Sequence, residues 1–406
     1  MGDGWMSGCL GDFVTLRSGG TPAKSEPKFW SGTTPWVSAK DMKQLRLHDT
    51  ELHIDALEAG WTSRLAPPGT VLLLTRGMTL LQDIPMCVVQ QAMAFNQDVK
   101  AVRAKGGLLK AYLPYLLLGR KHDLLGLVDL AGHGTGRLVT DQVTGLPVDI
   151  PPIGEQQAIA YVLGALDDKI ELSRRMNETL EQMAQAIFKS WFIDFDGHDD
   201  LVDSPIGLVP RGWEAGTLGD VTEITMGQSP PGSTYNENGQ GIPFFQGATD
   251  FGAVFPTNRV YCTAPTRFAE QWDVLISVRA PVGRANLARE RCAIGRGVAS
   301  IRSQSGHRSY AWCLIKGLSA VLDVYNGEGT VFGSINKKAL HAVRVVVPPI
   351  AEVAAFEKVA RPLLSRLQVT ADESRTLVVL RDTLLPRLIS GEIRIPDAER
   401  VVGGVV

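Results

Sequence analysis

GWMSGCLGD at residues 4–12 returns as GWEAGTLGD at residues 212–220. The offset is 208 residues, and it holds through Gly19 and Gly227, Pro22 and Pro230, and Pro35-Trp36-Val37 against Pro243-Phe244-Phe245. It then shrinks as loops shorten. Arg76 matches Arg279 at an offset of 203, Val99 matches Val298 at 199, and PPIGEQ at 151–156 matches PPIAEV at 348–353 at 197. GHGT at 132–135 is echoed by GEGT at 327–330. A period near 200 residues is several times that of any solenoid repeat. The chain is therefore two copies of a whole domain, a pseudo-dimer, and a partner of near two-fold symmetry is expected.

A length of 406 residues leaves each copy enough chain to bury its own core. A hydrophobic fraction of 44% with 21% charged residues is that of a soluble globular protein rather than a disordered or fibrous one. The start, MGDGWMSGCLGDF, has no basic stretch followed by an apolar run, and no apolar segment is long enough to span a bilayer, so neither a signal peptide nor a membrane span is expected. The five cysteines include no CxxC pair, which fits reduced thiols in a cytoplasm and argues against structural zinc.

The formal net charge of −2 hides an uneven distribution. Residues 1–150 hold 15 Lys and Arg against 14 Asp and Glu, and residues 204–347 hold 14 against 10. Residues 151–203 hold 4 against 11, and residues 348–406 hold 8 against 8. The repeated front domains are neutral to basic, and the acid lies in one connecting segment. A polyanion meets the local field rather than the mean.

Each front domain is rich in Gly, Pro and short β-prone runs. VLLLT at 71–75, DVLISVR at 273–279 and VRVVVP at 343–348 read as strands. LLKAYLPYLLLG at 108–119 and YAWCLIKGL at 310–318 read as helices. The pattern is a mixed α+β domain. After each PPI the chain turns helical. A 4-3 spacing picks out Ile159, Leu163, Leu166, Ile170, Ser173, Asn177, Leu180, Ala184, Ile187 and Trp191. The second copy presents Phe356, Ala360, Leu363, Leu367, Thr370, Ser374, Leu377, Arg381, Leu384 and Leu388 at the same slots. Both stripes are apolar at their ends and polar in the middle, the pattern of a coiled-coil seam. An antiparallel pair lets the two polar middles meet. A helix of about 38 residues is ~57 Å long. Pro362 departs from the pattern and is expected to kink the second helix or to mark its true start.

Between the copies lies FIDFDGHDDLVDSPIGLVPRGW, with Asp194, Asp196, His198, Asp199 and Asp200 close together. The spacing is not that of a calcium loop, which needs a Glu at its twelfth position. The cluster reads as a solvated acidic linker closing a helix, and no metal site is assigned.

The order of these motifs resembles the specificity subunit of a type I restriction-modification system, over nearly the whole chain. The residues that carry the resemblance are LGDFVTLRSGGTP at 10–22 with its echo LGDVTEITMGQSP at 218–230, and PPIGEQQAIAYVLGALDDKIE at 151–171. IFKSWFIDFDG at 187–197 and LLPRLISGEIRI at 384–395 complete it. The resemblance implies an α+β fold of two homologous mixed α/β target recognition domains. A pair of long antiparallel coiled-coil helices would join them with pseudo-two-fold symmetry. The implied boundaries are 1–150 and 204–347 for the recognition domains, 151–203 for the first spacer helix and linker, and 348–406 for the second spacer helix and the C-terminal tail. Each recognition domain would read one half of a split double-stranded DNA sequence, and the helices would fix the gap and dock methyltransferase subunits, two of them, with restriction and translocase subunits beyond. S-adenosylmethionine, ATP and magnesium would be used by those partners and no cofactor by this chain.

Catalytic motifs point the same way by their absence. An adenine methyltransferase shows Asn or Asp before Pro-Pro-aromatic, but Ile150 and Val347 precede the prolines here. GGTPAKS at 19–25 lacks the second Gly of a P-loop, and no HExxH exists. The chain reads as non-catalytic. A metal-dependent hydrolase using the acidic linker, and an assembly scaffold binding protein partners through its coiled coil, are the readings it competes with.

The strongest DNA-facing signal runs from Arg279 to Arg302, where Arg279, Arg284, Arg289, Arg291, Arg296 and Arg302 face one acid, Glu290. Guanidinium forks fit phosphates and the O6/N7 edge of guanine. In the first domain the candidates are Arg17, Lys24, Lys28, Lys40, Arg76 and Arg137. Ser38 and Lys40 follow PWV as Gln246 and Thr249 follow PFF, and their difference implies an asymmetric target. Trp36 and Phe244 read as core rather than as base-stacking residues.

Overall fold

In a computed structural model of the chain, residues 4–131, 134–327 and 333–403 are described. The GHGT and GEGT echo therefore lies partly outside the described residues. The chain forms two compact units, Met1–Leu172 with Glu373–Val406, and Ser173–Asp372. The division runs through both long helices rather than at the Pro-Pro boundaries. Each unit comprises one front domain and half of each helix, because the helices are buried in the domain cores. Ile159, Leu163 and Leu166 share a core with Leu113 and Leu116 of the first domain.

In the first unit a five-stranded sheet runs in the order 14–18, 99–104, 71–74, 86–89, 46–47. Two three-stranded sheets accompany it, 128–130 with 136–138 and 76–77, and 52–54 with 34–37 and 94–95. Val71–Leu74 is buried at all four positions, which is why the sequence shows an unbroken apolar run rather than alternation. The second unit keeps the central pairings but groups its strands into a four-stranded sheet, 222–226, 298–303, 274–277, 285–287, and a five-stranded one, 235–236, 261–262, 242–245, 292–294, 268–269. Its strand 274–277 pairs with 298–303 in the register by which 71–74 pairs with 99–104. Phe244 lies opposite Ala293, and Trp36 opposite Ala94, on parallel strands in both copies.

The opening repeat has a local cause. Leu10 and Leu218 are buried, and the Asp two residues later in each copy accepts the backbone N–H of the N-cap, Cys9 to Asp12 and Thr217 to Asp220, both at 2.8 Å. That capping box starts a one-turn helix. Gly19 and Gly227 are repeated because nothing larger fits. A Cβ at Gly19 would lie 2.1 Å from the Phe95 carbonyl oxygen, and one at Gly227 would lie 2.2 Å from that of Gly295.

The two long helices, Ile153–Phe192 and Ile350–Ile389, have 40 residues each and are ~60 Å long. Their pairing is antiparallel. In the first unit Arg381 donates to Asp167 at 2.9 Å, and Lys169 lies 3.4 Å from Glu373. In the second unit Phe356 packs against Phe188, Trp191 and Phe192 with ring centroids 5.3 to 6.0 Å apart. Leu377, Leu384 and Leu388 join the first core, and Phe356 and Leu367 the second. Ile170, Leu180, Ile187 and Leu363 are only partly buried, and the neighbouring Phe188 and Leu364 take the core positions beside Ile187 and Leu363. A helix that packs on a sheet as well as on its partner needs a wider face than a two-position seam, and 3.6 residues per turn drifts against a strict heptad. Asp167 and Arg381 replace apolar seam contacts with a satisfied buried group. Asp167 also accepts from the Tyr115 hydroxyl at 2.8 Å, and burial followed by the nearby carboxylate pushes the Tyr115 phenol above its ordinary range.

Two local expectations are corrected. Pro362 does not mark a helix start, since the second helix begins at Ile350 and runs through it. Pro362 and Lys358, whose carbonyl loses its helical donor to the proline, are both exposed. In 108–119 only Leu113–Gly119 is helical, and Pro114 sits at its first turn, where a missing N–H is harmless.

Candidate nucleic-acid interface

In the second unit three loops meet at one end of the sheets. Strand 242–245 delivers Gln246 and, in the following turn, Thr249. Strand 274–277 is followed by Arg279 and Arg284, and the tight turn between 292–294 and 298–303 carries Arg296. These five side chains line a cleft of about 290 Å³, and all five are exposed. Among the described residues the side chains of Gln246, Arg279, Arg284 and Arg296 have no hydrogen-bond or ion-pair partner.

The backbone under these side chains is pinned. The Gly297 N–H donates to the Gln246 carbonyl at 3.0 Å, and the Gly295 N–H to that of Phe245 at 2.9 Å. A Cβ at Gly297 would lie 2.4 Å from the Gln246 carbonyl oxygen, so glycine is needed for that approach. The Ser277 hydroxyl donates to the Pro281 carbonyl at 2.5 Å and accepts the Arg284 N–H at 2.9 Å. The Val282 N–H donates to Asn326 at 2.6 Å. Free cationic side chains on fixed backbone are prepared for an anionic partner. Ser277 and Asn326, which hold this loop, carried no signal in the sequence.

The other arginines of the cluster are engaged within the protein. Arg289 pairs with Asp372 and lies over the Phe255 ring, 4.8 Å from its centroid. Arg291 is 3.2 Å from Glu270 and lies over Phe268. Arg302 makes two hydrogen bonds to the buried Asp273, at 2.8 and 2.9 Å. The uniform basic run therefore divides into three residues that face the cleft and three that hold the fold.

The equivalent region of the first unit is built differently. Ser38 corresponds to Gln246, but its hydroxyl and its N–H both donate to Asp41 at 2.8 Å, so its hydroxyl proton is already engaged and its oxygen is left to accept. Gln97, at the position of Arg296, accepts from the Thr21 hydroxyl at 2.6 Å. Arg17 donates to the Ser63 carbonyl at 2.8 Å, and Lys28 is 3.9 Å from Glu58. Lys24 and Lys40 are exposed. Arg76 and Arg137 are register partners on adjacent antiparallel strands, and both are exposed. Trp36 and Phe244 are buried in the cores.

Three carboxylates of the acidic linker have partners within the protein. Asp194 pairs with Lys189, Asp196 accepts from the Ser190 hydroxyl at 2.7 Å, and Asp200 pairs with Arg211 at 2.5 Å. Among the described residues no group of three or more His, Cys, Asp or Glu side chains is placed to hold a metal. Nor is any helix among them long and apolar enough to cross a membrane.

Comparison with known proteins supplies the family. The family model described as "Type I restriction modification DNA specificity domain" matches residues 2–182 and 210–360. The chain is 26% identical to the type I restriction enzyme MjaIX specificity subunit of Methanocaldococcus jannaschii, over 97% of this chain and 94% of that protein. It is 32% identical to a candidate MjaX specificity subunit from the same organism, over 70% of this chain and 68% of that protein. The crystal structure of a type I restriction-modification system S subunit from M. genitalium is similar in fold, with a TM-score of 0.54 at 14% identity, covering 96% of this chain and 97% of that one.

Proposed function

The chain belongs to the type I restriction-modification DNA specificity family, and from that premise we propose how it carries out DNA sequence recognition. Each unit reads one half of a bipartite, asymmetric target. The chain is non-catalytic and needs no cofactor of its own. Methyltransferase subunits, two of them, supply adenine methylation with S-adenosylmethionine. A restriction partner, where present, supplies ATP- and magnesium-dependent cleavage. The complex works in the cytoplasm.

The observation that carries this reading is the cleft of the second unit. Arg279, Arg284 and Arg296 face solvent, with no carboxylate partner among the described residues, on a backbone held by hydrogen bonds. Guanidinium groups there can take phosphates, or the O6/N7 edge of a guanine. Gln246 adds an amide that can pair with the N6/N7 edge of an adenine. The first unit offers different groups at the same places, Ser38 held by Asp41 and Gln97 held by Thr21, which supports unequal half-sites.

The test is binding of labelled duplex by the complex assembled with methyltransferase subunits, followed across salt concentrations. The reading predicts affinity that falls steeply with salt, and selection of one sequence over scrambled duplex. A complex that assembles but binds all duplexes alike refutes sequence recognition, and one that binds none leaves a protein-binding scaffold.

A further inference from the structure

The two units share one arginine position, Arg76 in the first and Arg279 in the second, but surround it with different residues. In the second unit the companion cation Arg296 comes from the turn after strand 292–294, and the residue opposite Arg279 is the neutral Ser334. In the first unit the turn carries Gln97, which is bound to Thr21, and the residue opposite Arg76 is Arg137. Ser334 and Arg137 occupy matching places, each exposed between two buried neighbours, Arg137 on a strand and Ser334 at an isolated bridge.

Directly opposed residues of an antiparallel pair have Cα atoms ~4.5–5.5 Å apart and side chains on one face. Like charges in that relation are destabilising. The compensation within the row is partial. Asp129 is the register partner of Arg137 on its other side, giving one carboxylate to two guanidinium groups. No ion pair joins Asp129 to either arginine among the described residues. The strand under them is fixed, since the Leu138 N–H donates to the Thr75 carbonyl at 2.9 Å and Leu138 is buried. The register therefore keeps both side chains on one face, and among the described residues neither exposed guanidinium has an ion-pair partner.

We propose that Arg76 and Arg137 together clamp a single DNA phosphate, anchoring the first unit to the backbone of its half-site rather than reading a base. Side chains that leave one face from directly opposed positions can reach the same phosphate, whose two non-bridging oxygens can each accept an N–H from both guanidinium groups. The inference rests on the DNA-recognition reading above and assigns within it a positioning role, delivered by a different element in each unit.

The test uses the assembled complex and a labelled duplex carrying its methylated motif. Binding is measured between 50 and 200 mM salt for wild type, Arg76→Ala, Arg137→Ala, the double alanine variant, and the double variant with both replaced by lysine. One lost phosphate contact makes the log affinity against log salt plot shallower by ~0.9. The double alanine variant is expected to show that change, so that its deficit against wild type shrinks about 3.5-fold over the salt range. The double lysine variant should restore most of the slope, and the bases of the methylated motif should stay the same in every variant. An unchanged slope overturns the clamp. A slope shallower by ~1.8 means two separate phosphates and overturns the single-anion geometry. A changed base in the motif makes these residues base readers and overturns the positioning role. Retained wild-type sequence selection with any of these results refutes the clamp alone, whereas loss of selection by wild type refutes the recognition reading with it.

Discussion

Alanine at Arg279, Arg284 and Arg296 should weaken DNA binding and leave the fold intact, whereas alanine at Arg289 should do the reverse. The three cleft arginines are exposed and have no partner among the described residues, so each replacement should change stability by no more than about 0.5 kcal/mol. If each holds one phosphate, each loss makes the salt dependence shallower by ~0.9, and the triple variant by ~2.7. Between 50 and 200 mM salt the triple variant's affinity deficit should then shrink about 40-fold. An arginine that reads a guanine instead shows a loss of ~1–3 kcal/mol confined to one base position. Arg289 has a side chain only 16% exposed, paired with Asp372 and stacked on Phe255. Removing that pair and the cation–π contact should cost about 1–2 kcal/mol. The melting transition should fall by about 2–8 °C. Fluorescence anisotropy of labelled duplex and thermal melting of the same preparations read both quantities. Melting losses in the cleft variants with unchanged affinity, or a binding loss in Arg289→Ala without a melting loss, would refute the division of the arginines.

Three further outcomes follow from single sites. Gln246→Ala should relax one base position in one half of the methylated motif and leave the other half intact, as read by methylation mapping; a change in both halves contradicts its assignment to one reader. Phe356 is fully buried among Phe188, Trp191, Phe192 and Tyr310, so Phe356→Ala should destabilise the second unit by ~3–5 kcal/mol in chemical denaturation, and a loss below 1 kcal/mol would show that the rings do not hold the helix pair. Asp220 is held below its ordinary pKa of 3.8 by the Thr217 hydroxyl and N–H, so its stabilisation is full above that value and is lost as pH falls through the lower, folded value. The melting gap between wild type and Asp220→Ala should be constant near neutrality and close in acid, and a gap that widens in acid contradicts the cap.

The duplicated architecture was legible because it rests on local signals. Gly19 and Gly227, the capping aspartates and the buried apolar runs each leave a mark at fixed spacing. The helix pair was legible because both stripes carry polar residues at the same slots. The working roles of the arginines were not legible, because charge composition does not show which side chain already has a partner. Arg289 is engaged by Asp372 on the second long helix, far along the chain, and Arg302 by Asp273 across paired strands. Nor did the polarity of Ser38 show that Asp41, three residues on, takes its hydroxyl proton. The opposition of Arg76 and Arg137 depends on strand register, which the spacing of the two residues does not reveal. Pro362 alone did not decide where the second helix starts, because Val353, Phe356 and Ala360 ahead of it are buried in the core and keep that turn helical.

Mapping adenine methylation in cells that carry a reader swap tests the account most directly. Residues 1–150 are replaced by the corresponding domain of a family relative with a different target, and the methylated motif is compared with that of the unaltered chain. The account predicts that one half of the motif changes to the donor's half while the other half remains. A motif in which both halves change, or neither does, would contradict two independent readers on one chain.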